Sequence, residues 1–73
     1  MKHPTDINGY LLERGDALVS KDGHKTIHVV ALRSDGMVVV NSNDFKYKYV
    51  VDPTNFYLYA ALTNEQFEAL RKS

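Results

Sequence analysis

Each of the four glycines in this chain stands beside an aspartate or an asparagine. The pairs are Asn8-Gly9, Gly15-Asp16, Asp22-Gly23 and Asp35-Gly36. Glycine adopts positive φ without steric cost, and asparagine and aspartate form local hydrogen bonds there, so such pairs favour tight turns. The runs between them are rich in valine, isoleucine and tyrosine, which is typical of short antiparallel strands. The chain is therefore expected to be mainly β.

The spacing of apolar residues predicts five strands, over residues 17–20, 25–33, 37–41, 45–51 and 56–60. In the second strand, Ile27, Val29 and Ala31 share one face, while Val30 and Leu32 make the other face apolar as well. Because the strand is apolar on both faces at this end, it is expected to bend there and to contribute to both sides of a curved sheet. Ser34, Asp35 and Gly36 predict a hairpin in which Asp-Gly is a two-residue link to the third strand.

The fourth predicted strand separates aromatic from basic side chains by simple alternation. The face expected to pack on the core carries Phe45, Tyr47, Tyr49 and Val51. The opposite face, expected to meet solvent, carries Lys46, Lys48 and Val50. Pro53 cannot donate to a ladder and therefore ends this strand.

The last strand is predicted to direct Phe56, Leu58 and Ala60 to the core and Tyr57 and Tyr59 to the opposite face. A capping box follows, in which the hydroxyl of Thr63 and the side chain of Gln66 each satisfy a backbone N–H of the other residue. This signal predicts a helix over residues 63–72. A helix of about nine residues is marginal alone, so Phe67 and Leu70 are expected to dock on the sheet.

Residues 1–14 form an N-terminal extension before the strands. Its Asn8-Gly9 pair predicts a tight turn, and Tyr10, Leu11 and Leu12 are expected to pack beneath the first strand.

The stretch GDALVSKDGHKTIHVVALRSDGMVVVNSNDFKYKYVVDPTNFYLY resembles the Tudor and KOW-type members of the SH3-like small barrels. The resemblance rests on Gly15-Asp16, the turn at Gly23, the apolar strand 27–32, the Asp35-Gly36 hairpin and the proline turn before the last strand. It implies one domain over 1–73, with a five-stranded antiparallel SH3-like barrel at 15–61 and a short C-terminal helix. The opening Asp6-Ile7-Asn8-Gly9, with Leu12, is also similar to small barrel proteins encoded by bacteriophages.

Composition limits the possible functions. With 73 residues there is room for one small core, and 9 basic against 9 acidic residues give no net charge to draw the chain onto nucleic acid. The absence of cysteine excludes disulfides, thiolate zinc sites and cysteine nucleophiles. No apolar run approaches the roughly 18 residues of a membrane span, so a cytoplasmic protein is expected, in the host cytoplasm if the chain is phage-encoded.

Catalysis is not predicted, because no nucleophile motif surrounds the serines or the histidines. Asp22, Asp35 and Asp52 all lie in glycine or proline turns, where aspartate forms local hydrogen bonds. His24 and His28 would lie about 13 Å apart along a strand, too far for one metal ion. We therefore expect no enzyme, no cofactor, no metal and no small-molecule substrate.

Exposed tyrosines are the strongest candidate for a binding site, because rigid amphipathic rings bind proteins at low entropic cost. Tyr57, Tyr59 and Tyr47 are the predicted protein-binding residues, with a host protein or a second copy as partner. A Tudor-type pocket would hold a cation by cation–π contact and would draw on Phe45, Tyr47, Phe56, Tyr57 and Tyr59. The alternative function is nucleic-acid binding, and the lysines that would carry it are Lys21, Lys25, Lys46 and Lys48.

Overall fold

The computed structural model describes residues 2–42 and 46–72. Its strands are β1 (Ala17–Val19), β2 (Thr26–Leu32), β3 (Val38–Asn41), β4 (Lys48–Val51) and β5 (Tyr57–Leu58). Two single-turn 3-10 helices cover Pro53–Asn55 and Tyr59–Ala61, and helix α1 covers Asn64–Lys72. The prediction of a mainly β chain with a five-stranded antiparallel sheet and a C-terminal helix is confirmed. Phe45, the predicted first residue of the fourth strand, lies outside the described residues.

The strands form one antiparallel sheet in the order β4-β3-β2-β1-β5. The turn Pro53–Asn55 separates the last two strands in sequence, and β5 pairs with β1 instead of β4. Within the described residues β4 and β5 do not pair, so the sheet is not closed by hydrogen bonds.

A β-bulge at Val30 confirms the predicted bend of β2. The register with β3 shifts between Val29 and Ala31, because Val29 lies opposite Val40 and Ala31 lies opposite Val39. The extra residue reverses the alternation beyond it. As a result Leu32 packs against the core, and the predicted grouping of Ala31 with Ile27 and Val29 is wrong.

The hairpin between β2 and β3 is longer than predicted. Arg33 donates its backbone N–H to Met37 O at 3.0 Å, which leaves three residues, 34–36, in the loop instead of two. Gly36 has φ +88°, the left-handed conformation that closes such a three-residue loop.

The core consists of fully or almost fully buried aliphatic side chains from the N-terminal segment and from β1, β2 and β3. They are Leu12, Leu18, Val19, Ile27, Val29, Val38 and Val40. The prediction for the N-terminal segment is confirmed for Leu12 and wrong for its neighbours, since Tyr10 is 52% exposed and Leu11 65% exposed. Of these three consecutive residues, only Leu12 is buried.

The outer strands follow the predicted pattern in part. Tyr49 and Val51 of β4, and Phe56 and Leu58 around β5, pack against the core as predicted. Tyr47 does not pack against the core: it lies just before β4 and is 68% exposed. The last strand is also shorter than predicted, since a 3-10 turn replaces it from Tyr59 onward.

The predicted capping box of α1 is confirmed. Thr63 N–H donates to Gln66 Oε1 at 2.9 Å, and Gln66 N–H donates to Thr63 Oγ1 at 3.1 Å. The helix contacts the turn between β1 and β2, where Arg71 Nε donates to the Gly23 carbonyl at 3.3 Å. Phe67 and Leu70 are half-buried. Across 2–42 and 46–72, no helix has the length and apolar character needed to cross a membrane.

Candidate functional site

A groove of about 330 Å³ lies between the N-terminal segment, β5 and α1. Tyr10 forms part of one wall, Tyr57 lies in the floor region contributed by β5, and Leu62 and Leu70 come from the helical side. The remaining lining residues are Asn8, Leu58, Ala61, Gln66 and Ala69. The groove therefore combines apolar side chains with two tyrosines and two side-chain amides.

The buried carboxylate of Asp6 fixes the wall of this groove. Its Oδ1 accepts hydrogen bonds from the backbone N–H groups of Asn8 at 2.9 Å and Tyr10 at 2.8 Å. Its Oδ2 accepts a third from Leu58 N–H at 3.0 Å. Since Asp6 is only 2% exposed, one side chain holds the Asn8-Gly9 turn against β5 and sets Tyr10 beside Tyr57.

Tyr57 and Tyr59 do not project from one strand face as predicted. Tyr57 lies opposite Val19 in the sheet and is half-buried in the groove. Tyr59 belongs to a 3-10 turn, is 51% exposed, and meets the Phe67 ring edge-on with centroids 5.7 Å apart. The Arg71 guanidinium lies 4.7 Å from the centroid of the same Phe67 ring. Tyr59 therefore contacts α1 through Phe67 and also remains partly exposed to solvent.

The third predicted tyrosine is located elsewhere. Tyr47 immediately precedes β4, at the opposite edge of the sheet from β5. Of the other residues of the predicted Tudor-type pocket, Phe56 packs against the core, and Phe45 lies outside the described residues.

The four candidate lysines are exposed but divide between two surfaces. Lys46 and Lys48 flank the exposed Tyr47. Lys25 lies with its Nζ 5.9 Å from the centroid of Tyr49, a ring that packs against the core. Because Tyr49 and Lys48 are adjacent on β4, they point to opposite faces of the sheet, and Lys25 is separated from the Lys48 side. Lys21 lies in the turn between β1 and β2.

The turn aspartates act locally, as predicted. The Ser20 hydroxyl holds the pKa of Asp22 below its ordinary value, and the Thr54 hydroxyl does the same for Asp52. The hydrogen-bonded Arg33 guanidinium lowers the pKa of Asp35, and the pKa of Arg33 is raised in return. Each carboxylate also accepts a backbone N–H within its own turn.

Sequence reasoning missed Tyr10 as a groove residue, since it was expected beneath the first strand. The available signal was the aspartate two residues before Asn8-Gly9, in the spacing by which a carboxylate accepts backbone N–H groups of a following turn. Among residues 2–42 and 46–72, no group of three or more histidine, aspartate or glutamate side chains is arranged to hold a metal ion.

Comparisons with known protein families, with curated proteins and with solved structures gave no match to this chain.

Proposed function

We propose that this chain is an SH3-like small barrel of the Tudor or KOW type that acts as a non-catalytic binding module. The strand order β4-β3-β2-β1-β5, with a 3-10 turn between β4 and β5, supports the barrel assignment. The bulge in β2 and the reach of Lys25 to Tyr49 are consistent with a strongly curved sheet. Among the described residues the edges of β4 and β5 are not hydrogen-bonded to each other, so the proposed barrel is an open one.

The partner that we propose is a protein, and the groove beside α1 is its binding site. The observation that carries this proposal is the placement of Tyr10 and Tyr57 in one groove with apolar residues of α1. The Asp6 carboxylate holds the backbone of Tyr10 and of Leu58, next to Tyr57, and side chains on a backbone that is already ordered lose less entropy on binding. If the chain is phage-encoded, as the similarity of its opening residues suggests, the partner is a host protein whose activity it recognises or inhibits.

The test is affinity capture from the native cell extract, repeated at low and high salt with the wild type and three variants. Tyr10→Ala and Tyr57→Ala remove groove rings, while Tyr47→Ala removes an exposed tyrosine at the other edge and serves as the matched control. We expect a partner that is retained at high salt and by Tyr47→Ala but lost with either groove variant. Thermal melts confirm that each variant is folded. Capture that is indifferent to both groove tyrosines contradicts the proposal.

Nucleic-acid binding is the second candidate, and one structural observation favours it. Alternation would bury Tyr47 away from the lysines, yet its ring is 68% exposed between exposed Lys46 and Lys48. Where an aromatic ring and cations share a surface, the ring can stack on a base while the cations contact phosphates. Binding of a single-stranded oligonucleotide that weakens steeply with salt, and is lost in Lys46→Glu/Lys48→Glu, would support this function. If the oligonucleotide does not bind, or binds equally well at low and high salt, the nucleic-acid-binding function is contradicted.

A further inference from the structure

β4 is an edge strand whose outward backbone groups can be assigned from the hydrogen bonds of its neighbours. Among the described residues it pairs only with β3. Ser42 N–H donates to Tyr47 O, and in an antiparallel ladder the bonded pairs then recur every second residue. Tyr49 and Val51 therefore direct their N–H and C=O groups to β3. Lys48 and Val50 direct theirs to the open edge.

The β2–β3 hairpin gives the same assignment independently. Arg33 N–H bonds Met37 O, so Ala31 and Val39 are a bonded pair, and Val39 directs its groups to β2. Val39 lies opposite Val50. The backbone N–H and C=O of Val50 therefore form no hydrogen bonds with β3 and point to the outer edge of the sheet.

The side chains along this edge form a self-complementary pattern. Lys48, Val50 and Asp52 share one face, since the backbone of Asp52 is still extended at φ −85° and ψ 110°. When two copies of such a strand run antiparallel about a two-fold axis at Val50, each Val50 lies opposite its symmetry mate. Each Lys48 then lies opposite Asp52 of the second copy.

The hydrogen-bond pattern fits the same alignment. A two-fold axis at Val50 makes Val50 and its mate a bonded pair, and it places the N–H of Asp52 beside the carbonyl of Lys48 in the second copy. The Asp52 carbonyl already accepts Asn55 N–H at 3.2 Å. The bonds across the axis use outward groups of Lys48 and Val50 that β3 leaves free. A shift of one residue would place the inward-facing Tyr49 opposite Val50 and mismatch the two faces of the sheet.

Val50 also completes an apolar row that ends at this edge. Ala31, Val39 and Val50 are consecutive cross-strand neighbours on the outer face, and Val50 is 45% exposed. A second Val50 would continue this row across the axis. Lys48 would disfavour strand partners that lack an acidic residue at the opposing position.

We propose that β4 pairs with β4 of a second copy of this chain, in antiparallel orientation with Val50 on the two-fold axis. The occupant of the edge is thus a second copy, selected by the ion pairs between Lys48 and Asp52. The dimer joins two five-stranded sheets into one and uses a surface other than the groove beside α1. Its short contact makes it a weak, concentration-dependent dimer.

The test is sedimentation equilibrium of the whole chain up to about 1 mM, where a dimer with a millimolar dissociation constant is substantially populated. We expect the wild type to form dimer, and Lys48→Glu to weaken dimerisation at least about tenfold, since it sets two carboxylates opposite each other. Lys21→Glu has the same charge change in a turn distant from β4 in sequence and is the matched control. Tyr57→Ala should dimerise as the wild type does.

Mixing of two charge variants tests the alignment itself. Lys48→Glu and Asp52→Lys should each dimerise poorly alone, while their equimolar mixture should regain the wild-type dimer, because both opposing pairs are then oppositely charged. Val50→Pro removes only an outward N–H and should abolish the dimer while the chain stays folded by circular dichroism. A strictly monomeric wild type, or a dimer unaffected by both Lys48→Glu and Val50→Pro, overturns the proposal.

Discussion

The carboxylate of Asp6 accepts the backbone N–H of Leu58 at 3.0 Å, although the two residues are 52 positions apart. This bond joins the N-terminal segment to β5, which is also held by Ile7 N–H donating to Phe56 O at 2.9 Å. The segment before the first strand is thus part of the folded unit. It provides one wall of the groove and one residue of the core, Leu12.

Asp6→Asn should destabilise the fold by about 1–3 kcal/mol, because an amide cannot accept at both oxygen positions and places a donor against a buried N–H. Asp16→Asn is the control, since its carboxylate accepts one N–H, from Glu13, at an exposed position. Urea unfolding of the two variants measures the difference. If both variants lose the same unfolding free energy, the buried hydrogen bonds of Asp6 contribute no more to stability than the single exposed hydrogen bond of Asp16.

The adjacent residues Leu11 and Leu12 should differ sharply in their contribution to stability. Leu12 is fully buried, so Leu12→Ala removes packed atoms and should cost about 2–5 kcal/mol. Leu11 is 65% exposed, and Leu11→Ala should change stability by no more than about 0.5 kcal/mol. Chemical denaturation of both variants compares them. Similar losses would contradict the placement of Leu12 alone in the core.

Gly23→Ala should report how α1 docks on the turn between β1 and β2. A Cβ at Gly23 would come within 3.1 Å of Leu70 Cβ and 3.0 Å of Arg71 Cγ. Gly9→Ala is the matched control, since Gly9 has a similar positive φ, +85° against +76°, but nothing within 4 Å of an added Cβ. Both variants carry the strain of an alanine at positive φ. The added steric contact should lower the unfolding free energy of Gly23→Ala by about 1–3 kcal/mol more than that of Gly9→Ala.

Deletion of residues 63–73 completes this comparison. The truncated chain should melt at a lower temperature than the full chain, because it loses the contact of Phe67 with Tyr59 and the hydrogen bond from Arg71 to the Gly23 carbonyl. In that background Gly23→Ala and Gly9→Ala should have equal costs. An unchanged melting temperature after deletion would show that α1 is free for a partner.

Stability should fall in acid through the turn carboxylates. The pKa values of Asp22, Asp35 and Asp52 lie below their ordinary value of 3.8 in the folded chain. Their contribution is therefore present above that value and is lost as the pH falls through the lower folded pKa. Asp35→Asn should be less stable than the wild type well above pH 3.8, and this difference in stability should narrow as the pH falls below that value. A difference that is independent of pH would contradict this linkage.

The amino-acid sequence by itself determined the local structure of this chain. All four glycines have positive φ in turns at the expected places, and the capping box of Thr63 and Gln66 starts α1. These features depend on interactions between residues a few positions apart, which a linear pattern records directly. The strand count follows from the same local signals.

Tertiary structure decided which side chains meet. Alternation alone could not show that a bulge at Val30 would return Leu32 to the core, or that Tyr47 would be exposed just before β4. Nor could it place Tyr10 and Tyr57 in one groove, because the N-terminal segment is held to β5 by a carboxylate that bonds a residue 52 positions away. Register and long-range hydrogen bonds are set by the packing of the whole sheet, and the candidate site is formed from them.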